Sequence, residues 1–271
     1  MILVYRYIIS NKGASYMKKQ VINQENIGIL FAIIFGSIFV IISLFLLKYL
    51  SGVTWYIVSG ILRLIFGIAI IIASKKFLNR EIKDIFTLKE SKKAILAGTG
   101  FIIYFIYYII LIIIGFKDIS GLTFGLVISK IIFQQIATGF YEELNYRFLI
   151  LEGYFFGKHN FKNKLIYAFI SFILFGILHI VTGWDTDRFL LTGIIGFSFA
   201  VIYIKSRNIV VPMLLHFIYD IFANLTEFIE WNNSVLFQNM SSLFEIIIAV
   251  MFSISFIILV RKKNDKNNPY I

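Results

Sequence analysis

The sequence predicts an all-α, polytopic membrane protein of about eight transmembrane helices around an intramembrane polar cavity. Of its 271 residues 59% are hydrophobic, and the mean hydropathy is +0.85. A soluble domain of this length cannot bury so much apolar surface. The apolar residues form long runs separated by short basic connectors, and a few ionisable side chains recur inside those runs. Such groups are costly in a bilayer and persist where they pair, line a cavity or do chemistry.

The apolar runs are long enough to serve as transmembrane helices, since about 20 apolar residues cross the hydrocarbon core. They are predicted at roughly 27–47, 53–74, 94–115, 122–156, 164–182, 188–204, 208–225 and 242–260. The fourth is too long for one upright crossing, so it is either strongly tilted or continues into the interface. A single transmembrane domain at 27–260 therefore lies between an N-terminal segment at 1–26 and a basic tail at 261–271. Met17, followed by two lysines, is an alternative start to Met1.

The basic residues predict the orientation. Most of the 26 Lys and Arg lie in the tail and in every second connector, and acidic residues concentrate in the opposite loops. Because cytoplasmic loops carry the excess of Lys and Arg, both termini should be cytoplasmic in a multi-pass cell-membrane protein. The net charge of +11 is explained by this topology, so no nucleic-acid partner is expected. The absence of Cys excludes disulfides, a thiolate nucleophile and cysteine metal ligands.

Ionisable residues on three predicted helices fall at a similar depth. With a rise of about 1.5 Å per residue, Glu142 lies about 24 Å from the basic connector at Lys158. His179 and Asp220 lie about 22 Å from their connectors, and His216 about 16 Å, which makes it the shallow member. The convergence predicts one polar site inside the bilayer.

Spacing within each helix predicts the local partners, because residues four apart share a face. Glu143 can pair with Arg147, which leaves Glu142 rotated away and free. On a later helix Asp220 can orient His216. Phe175 lies one turn from His179 and can wall off its side of the cavity. Arg63 and Lys130 are expected to pair with an acid or to snorkel toward the membrane surface, and no role is assigned to them.

The ordered motifs EExxxR, FxxxH and HxxxN/D, each on its own predicted helix, resemble the CPBP family (CAAX protease and bacteriocin-processing, or Abi). The motif residues are Glu142, Glu143, Arg147, Phe175, His179, His216 and Asp220, where Asp220 stands at a position that is Asn in many relatives. The resemblance covers about residues 120–225 and is similar to type II CAAX prenyl endopeptidases. It implies an intramembrane endopeptidase acting on membrane-embedded or lipidated peptides, with links to bacteriocin self-immunity and peptide maturation.

The resemblance also implies roles for these residues. Glu142 would activate a water with help from His179, and His216 and Asp220 would form an oxyanion-type pocket. Arg147 would be structural, holding Glu143. No cofactor is expected to be required. Zinc remains possible but is not favoured, since His and carboxylate ligands are present without a local His-x-x-x-His pair.

Two readings without catalysis stay open. A catalytically silent membrane scaffold or immunity protein of the same fold would keep the helices without needing the motifs, yet all three motifs are intact. An ion-coupled transporter could use the same acids and histidines, but broken helices in paired halves are not evident. The endopeptidase is therefore the first hypothesis and the scaffold the second.

Overall fold

The structure is a computed structural model that describes residues 11–152 and 160–261, with side chains described from residue 27 onward. The predicted end of the fourth span at 153–156, and the basic tail apart from Arg261, lie outside the described residues. The first half of the chain contains α1 (Asn11–Leu47), α2 (Gly52–Phe77), α3 (Ile82–Ile85), α4 (Ser91–Ala97), α5 (Thr99–Gly115) and β1 (Phe116–Ile119). The second half contains α6 (Phe124–Glu152), α7 (Phe161–His179), α8 (Thr186–Ser206), α9 (Val210–Thr226), β2 (Ile229–Trp231), α10 (Val235–Ser241) and α11 (Phe244–Val260).

The all-α, polytopic class is confirmed. Within the described residues, six helical stretches are long and apolar enough to cross a membrane, and α10 with α11 forms one of them. A seventh is obtained if α4 and α5, which are bent by 59°, count as one span. The remaining predicted span corresponds to α9, an apolar helix of 17 residues. Within the described residues each predicted run thus overlaps a helix, but the count of eight is not confirmed.

Helix α6 lies at the centre of the fold and is not uniformly α-helical. Its first part contains a π-helical segment, Val127–Phe133, and a second one follows at Leu144–Leu149. Between them Gln134–Glu143 is α-helical and ends on the two acidic residues. π-Helical turns are rare in proteins. Those that do occur are often found at functional sites.

The other helices pack around α6. Helix α2 runs parallel to it, since Gly60 contacts Phe133 and Gly67 contacts Phe140. Helix α7 is tied to both α6 and α8, because the Ser171 hydroxyl lies 3.1 Å from the Tyr146 carbonyl and 3.2 Å from the Gly196 carbonyl. These contacts hold three helices at fixed depth relative to one another.

A buried carboxylate fastens the ends of three helices on the side of the basic connectors. Glu152, at the end of α6, is 1% exposed. It pairs with Arg80 just after α2, and its Oε1 lies 3.3 Å from Nη2 of Arg207 just after α8. The Tyr203 hydroxyl donates to the same oxygen at 3.2 Å. This carboxylate therefore joins the ends of α2, α6 and α8.

At the opposite end β1 and β2 form a short antiparallel sheet. Phe116 pairs with Trp231 and Ile119 with Ile229, with an irregularity between Phe116 and Asp118. The sequence does not predict this sheet, because both strands are too short to show an alternating pattern.

Candidate active site

Three helices bring the predicted polar residues together. Helix α6 supplies Glu142 and Glu143, α7 supplies His179 and α9 supplies His216 and Asp220. Both glutamates and His216 are buried. Helix α9 approaches α6 closely at Gly139, where an added Cβ would lie 3.0 Å from the Met213 carbonyl oxygen. The small residue one turn before Glu143 therefore lets the imidazole of α9 reach the acids of α6.

Glu143 is the best-connected residue of the site. Its Oε1 lies 2.8 Å from Nδ1 of His216. Its Oε2 lies 3.2 Å from Nε of Arg147, and both side chains of that pair are fully buried. The predicted pairing with Arg147 is therefore present, and a contact with His216 is added that helical spacing within one segment cannot show.

Arg147 is held by charge and by aromatic faces. Its guanidinium carbon lies 4.1 Å from the centroid of the Phe175 ring and 5.1 Å from that of Phe199. Within residues 27–152 and 160–261 its nitrogens have no partner in hydrogen-bond geometry, although Glu143 lies within ion-pair distance. Cation–π contacts gain strength in a desolvated setting, so Phe175 supports Arg147 as well as His179.

His216 lies among carboxylates and aromatic rings. Its Nε2 lies 3.5 Å from Oδ2 of Asp220 and 3.8 Å from Oε2 of Glu142. Its ring stacks on Phe199 at 5.2 Å and meets the edge of Phe175 at 5.8 Å. Although its distance along the helix predicts that His216 is the shallow member, its ring lies within 2.8 Å of Glu143 and 3.8 Å of Glu142.

Glu142 has fewer hydrogen-bond and ion-pair partners than Glu143 among the described residues. It is 4% exposed, and among the described residues its Oε2 has no hydrogen-bond partner. Among the described residues, the ionisable nitrogen nearest to this oxygen is Nε2 of His216 at 3.8 Å, which is too long for a hydrogen bond. An unshared carboxylate oxygen in a buried polar site can accept a proton from a small molecule such as water.

One ring nitrogen of His179 is engaged by its own helix. Its Nδ1 lies 2.8 Å from the Phe175 carbonyl oxygen. Because a carbonyl only accepts, Nδ1 carries the proton and donates, which leaves Nε2 as the acceptor in the neutral ring. The ring packs on Phe175 at 4.6 Å and interacts electrostatically with Glu142 and His216.

Metal binding can be tested against the donor set. Glu142, His216 and Asp220 are the closest cluster of possible ligands. Across residues 11–152 and 160–261, no three His, Asp or Glu side chains are arranged to hold a metal ion. Glu143 engages Nδ1 of His216, so Nε2 is the nitrogen of this ring that faces Glu142 and Asp220.

The sequence left two intramembrane basic residues without a role, and the structure gives both of them partners. Arg63 of α2 interacts electrostatically with Glu142 and Asp220, and its guanidinium lies over the Phe39 ring at 5.0 Å. Lys130 of α6 pairs with Glu227 and faces the Phe228 ring at 5.1 Å. Two sequence features pointed to these residues. An arginine follows Ser59 by four positions, and polar residues occur at every fourth position before Glu142.

Fold and site together define a polytopic α-helical membrane protein with an acid–imidazole cluster buried between its helices. Residues 124–222 match the family model described as type II CAAX prenyl endopeptidase Rce1-like, and this range contains all three motifs. The match covers about a third of the chain and agrees with the resemblance that the motifs carry: it supports a membrane protein of the CAAX protease (CPBP) family, with intramembrane CAAX-type endopeptidase activity in general. No curated protein matches the chain, and no solved structure matches it.

Proposed function

We propose that this protein is an intramembrane endopeptidase that hydrolyses peptide bonds of membrane-embedded or lipidated peptides with a water activated by Glu142. The observation that carries the proposal is the buried, unpartnered Oε2 of Glu142 beside His216. The family match of residues 124–222 supports endopeptidase chemistry in general. Bacteriocin self-immunity or peptide maturation is the proposed setting.

The reaction begins with water. Oε2 of Glu142 takes a proton from the water as its oxygen attacks the scissile carbonyl carbon, and the carbonyl oxygen becomes the oxyanion. Nε2 of His179, free because Nδ1 donates to Phe175, accepts a hydrogen bond from the same water and orients it. The proton held by Glu142 then passes to the leaving amine as the C–N bond breaks.

His216 is the proposed donor to the oxyanion. Carboxylates at both ring nitrogens, Glu143 at Nδ1 and Asp220 near Nε2, stabilise an imidazolium whose Nε2–H faces Glu142. A preorganised donor aimed at developing charge in a water-poor site is worth several kcal/mol, of the order of 3 for one oxyanion-hole donor. Arg147 neutralises Glu143 and so fixes the clamp without touching substrate.

Location and cofactor use are part of the proposal. The basic connectors support a multi-pass cell-membrane protein with both termini cytoplasmic. No cofactor is proposed to be required. Cleavage should then survive EDTA or phenanthroline. Loss of activity on chelation, with recovery on adding stoichiometric zinc, would decide for a metalloprotease.

The test of the function is Glu142→Gln. The purified protein in proteoliposomes is incubated with prenylated, acylated and unmodified membrane peptides, and products are identified by mass spectrometry. Glu142→Gln should lower cleavage at least about a hundredfold, the scale for losing a general base, with unchanged helicity and melting temperature. Glu230→Gln, which alters an exposed carboxylate on β2, is the matched control. Near wild-type turnover by Glu142→Gln would remove this residue from the mechanism, and no cleavage by the wild type would favour the scaffold.

A further inference from the structure

A row of buried polar residues leads along α6 to the site. Lys130, Gln134 and Thr138 are each 8% exposed, and Glu142 is 4% exposed. They follow one another at intervals of four, the spacing that shares a helix face. Buried polar groups inside a bilayer are costly when nothing pairs with them, so their alignment on one face points to a shared use.

Helix α2 supplies the opposite side of this row. Nε2 of Gln134 donates to the Ser59 hydroxyl at 3.2 Å, and Arg63 donates to the same hydroxyl. Among the described residues, Nε of Arg63 has no hydrogen-bond partner. Since Arg63 interacts electrostatically with Glu142, it connects the row to the proposed base.

The row reaches the membrane surface at its other end. Lys130 pairs with Glu227, whose side chain is 59% exposed. Nε2 of Gln135 donates to the Lys130 carbonyl at 2.8 Å and lies 3.3 Å from Oε1 of Gln134. The hydrogen-bonding groups are therefore contiguous from an exposed carboxylate to the neighbourhood of Glu142.

Hydrolysis consumes one water for every bond cleaved, and Glu142 is buried. The flank of α6 beside the row offers water nothing to bind, since Ile132 and Ile136 are exposed apolar side chains on the lipid side. A water crossing hydrocarbon needs partners for its hydrogen bonds, and amide, hydroxyl and guanidinium groups supply them at short intervals.

We propose that Lys130, Gln134 and Thr138 of α6, with Ser59 and Arg63 of α2, form the route by which water enters from the surface beside Glu227 and reaches Glu142. These five residues are called the polar row. Its purpose rests on the proposed hydrolysis, but its existence as a water route does not, because water access is measurable without cleavage. The side chains close on one another in this structure, so water passes as the hydrogen bonds open and re-form.

The absence of native cysteine allows water to be probed by single thiols. Ser59→Cys and Thr138→Cys place a thiol in the polar row, and the first is nearly isosteric. Ile57→Cys and Ile136→Cys are matched controls at neighbouring lipid-facing positions, where the native side chains are 41% and 51% exposed. A charged, membrane-impermeant methanethiosulfonate reagent reacts with thiolates, which form only where water reaches.

The expected result is at least about tenfold faster labelling of both row thiols than of both lipid-facing thiols, because the thiolate is the nucleophile. Equal rates at row and control positions would overturn the proposal. Sealed vesicles of known orientation show from which face the reagent arrives. Protection of Thr138→Cys from the Glu227 face, with labelling from the opposite face, would also overturn it.

A blocked row is the second test. Gln134→Leu keeps the side-chain volume and removes the hydrogen bonds, and Ile132→Leu is its control on the lipid side. Gln134→Leu should lower labelling of Thr138→Cys about tenfold or more and slow cleavage in parallel, with KM little changed. Slower cleavage with unchanged labelling would assign Gln134 a structural role and reject the route. Reduced labelling in a protein that cleaves nothing would support the route and reject the proposed hydrolysis.

Discussion

Glu143 and His216 are joined at 2.8 Å between Oε1 and Nδ1, so an acid on α6 orients an imidazole on α9. The other oxygen of the same carboxylate faces Arg147 at 3.2 Å. One side chain thus links the buried charge balance of α6 to the geometry of a proposed catalytic group. Changes at Arg147 should consequently affect stability first and chemistry second.

Arg147→Met tests this order. The variant keeps bulk but removes one of the two cationic partners of the buried Glu143, at an expected cost of about 3 kcal/mol. Low accumulation and a lowered melting temperature in detergent should follow. Adding Glu143→Gln should restore part of the stability but little activity, since the clamp on His216 is then weakened. The control Lys117→Met breaks an exposed pair with Glu230 and should cost at most about 1 kcal/mol. A stable Arg147→Met variant with only a cleavage defect would place Arg147 at the substrate.

Two substitutions of His179 separate its two nitrogens. In His179→Asn the side-chain amide lies near the position of Nδ1 and should keep the hydrogen bond to the Phe175 carbonyl. In His179→Gln the amide lies near the position of Nε2. If Nε2 orients the water, Gln should retain more cleavage than Asn, while Asn retains the higher melting temperature. The expected loss for Asn is about a hundredfold. Equal activity of the two variants would contradict a role for Nε2.

Gly139→Ala tests the approach of α9 to α6. The added Cβ would lie 3.0 Å from the Met213 carbonyl and 3.7 Å from Cβ of His216. Helix α9 must shift, and a displacement of this kind can lower the rate by roughly ten- to a hundredfold. Gly125→Ala is the control in the same helix, since its nearest neighbour would be 3.5 Å away. Unchanged kcat in Gly139→Ala would show that the helices adapt without moving His216.

Glu152→Ala tests the fastening of helix ends by the buried carboxylate. The ion pairs of Glu152 with Arg80 and Arg207 would both be lost, and about 3 kcal/mol of stability should be lost with them. Both guanidiniums are partly exposed, which places the cost at the low end for a buried pair. Glu81→Ala, in an exposed pair with Lys75, should change the melting temperature little. Equal melting temperatures of the two variants would show that Glu152 stabilises the protein no more than an exposed ion pair does.

The fold class and the site residues followed from local signals, whereas the contacts between helices did not. Long apolar runs fixed the helices, and spacing of four paired Glu143 with Arg147 and His216 with Asp220. The contact between Glu143 and His216 depends on how α9 crosses α6, and the small size of Gly139 permits that close approach. Distances counted along single helices carry no information on such a crossing.

The number of spans was the less predictable quantity for a different reason. Hydropathy counts apolar residues, but α4 and α5 meet at a bend of 59° and α9 has only 17 residues. The short sheet of β1 and β2 was also missed, because the pairing partner of each strand lies more than a hundred residues away. Packing, and not local preference, determines these features.

The two π-helical segments of α6 divide it into sections whose rotational phase is set separately. Each π-helical turn closes one residue later than an α-helical turn, and one residue corresponds to about 100° around the axis. The segment Val127–Phe133 sets the phase of the polar row, and Leu144–Leu149 sets that of Arg147. Because each segment absorbs an extra residue, losing one residue there would let it relax to α-helix with the flanking sections still nearly in phase. Losing one residue from Gln134–Glu143, which lies between the segments, would instead rotate one section by about 100° against the other. Chain length is thus constrained most strictly in the section that ends on the two acids.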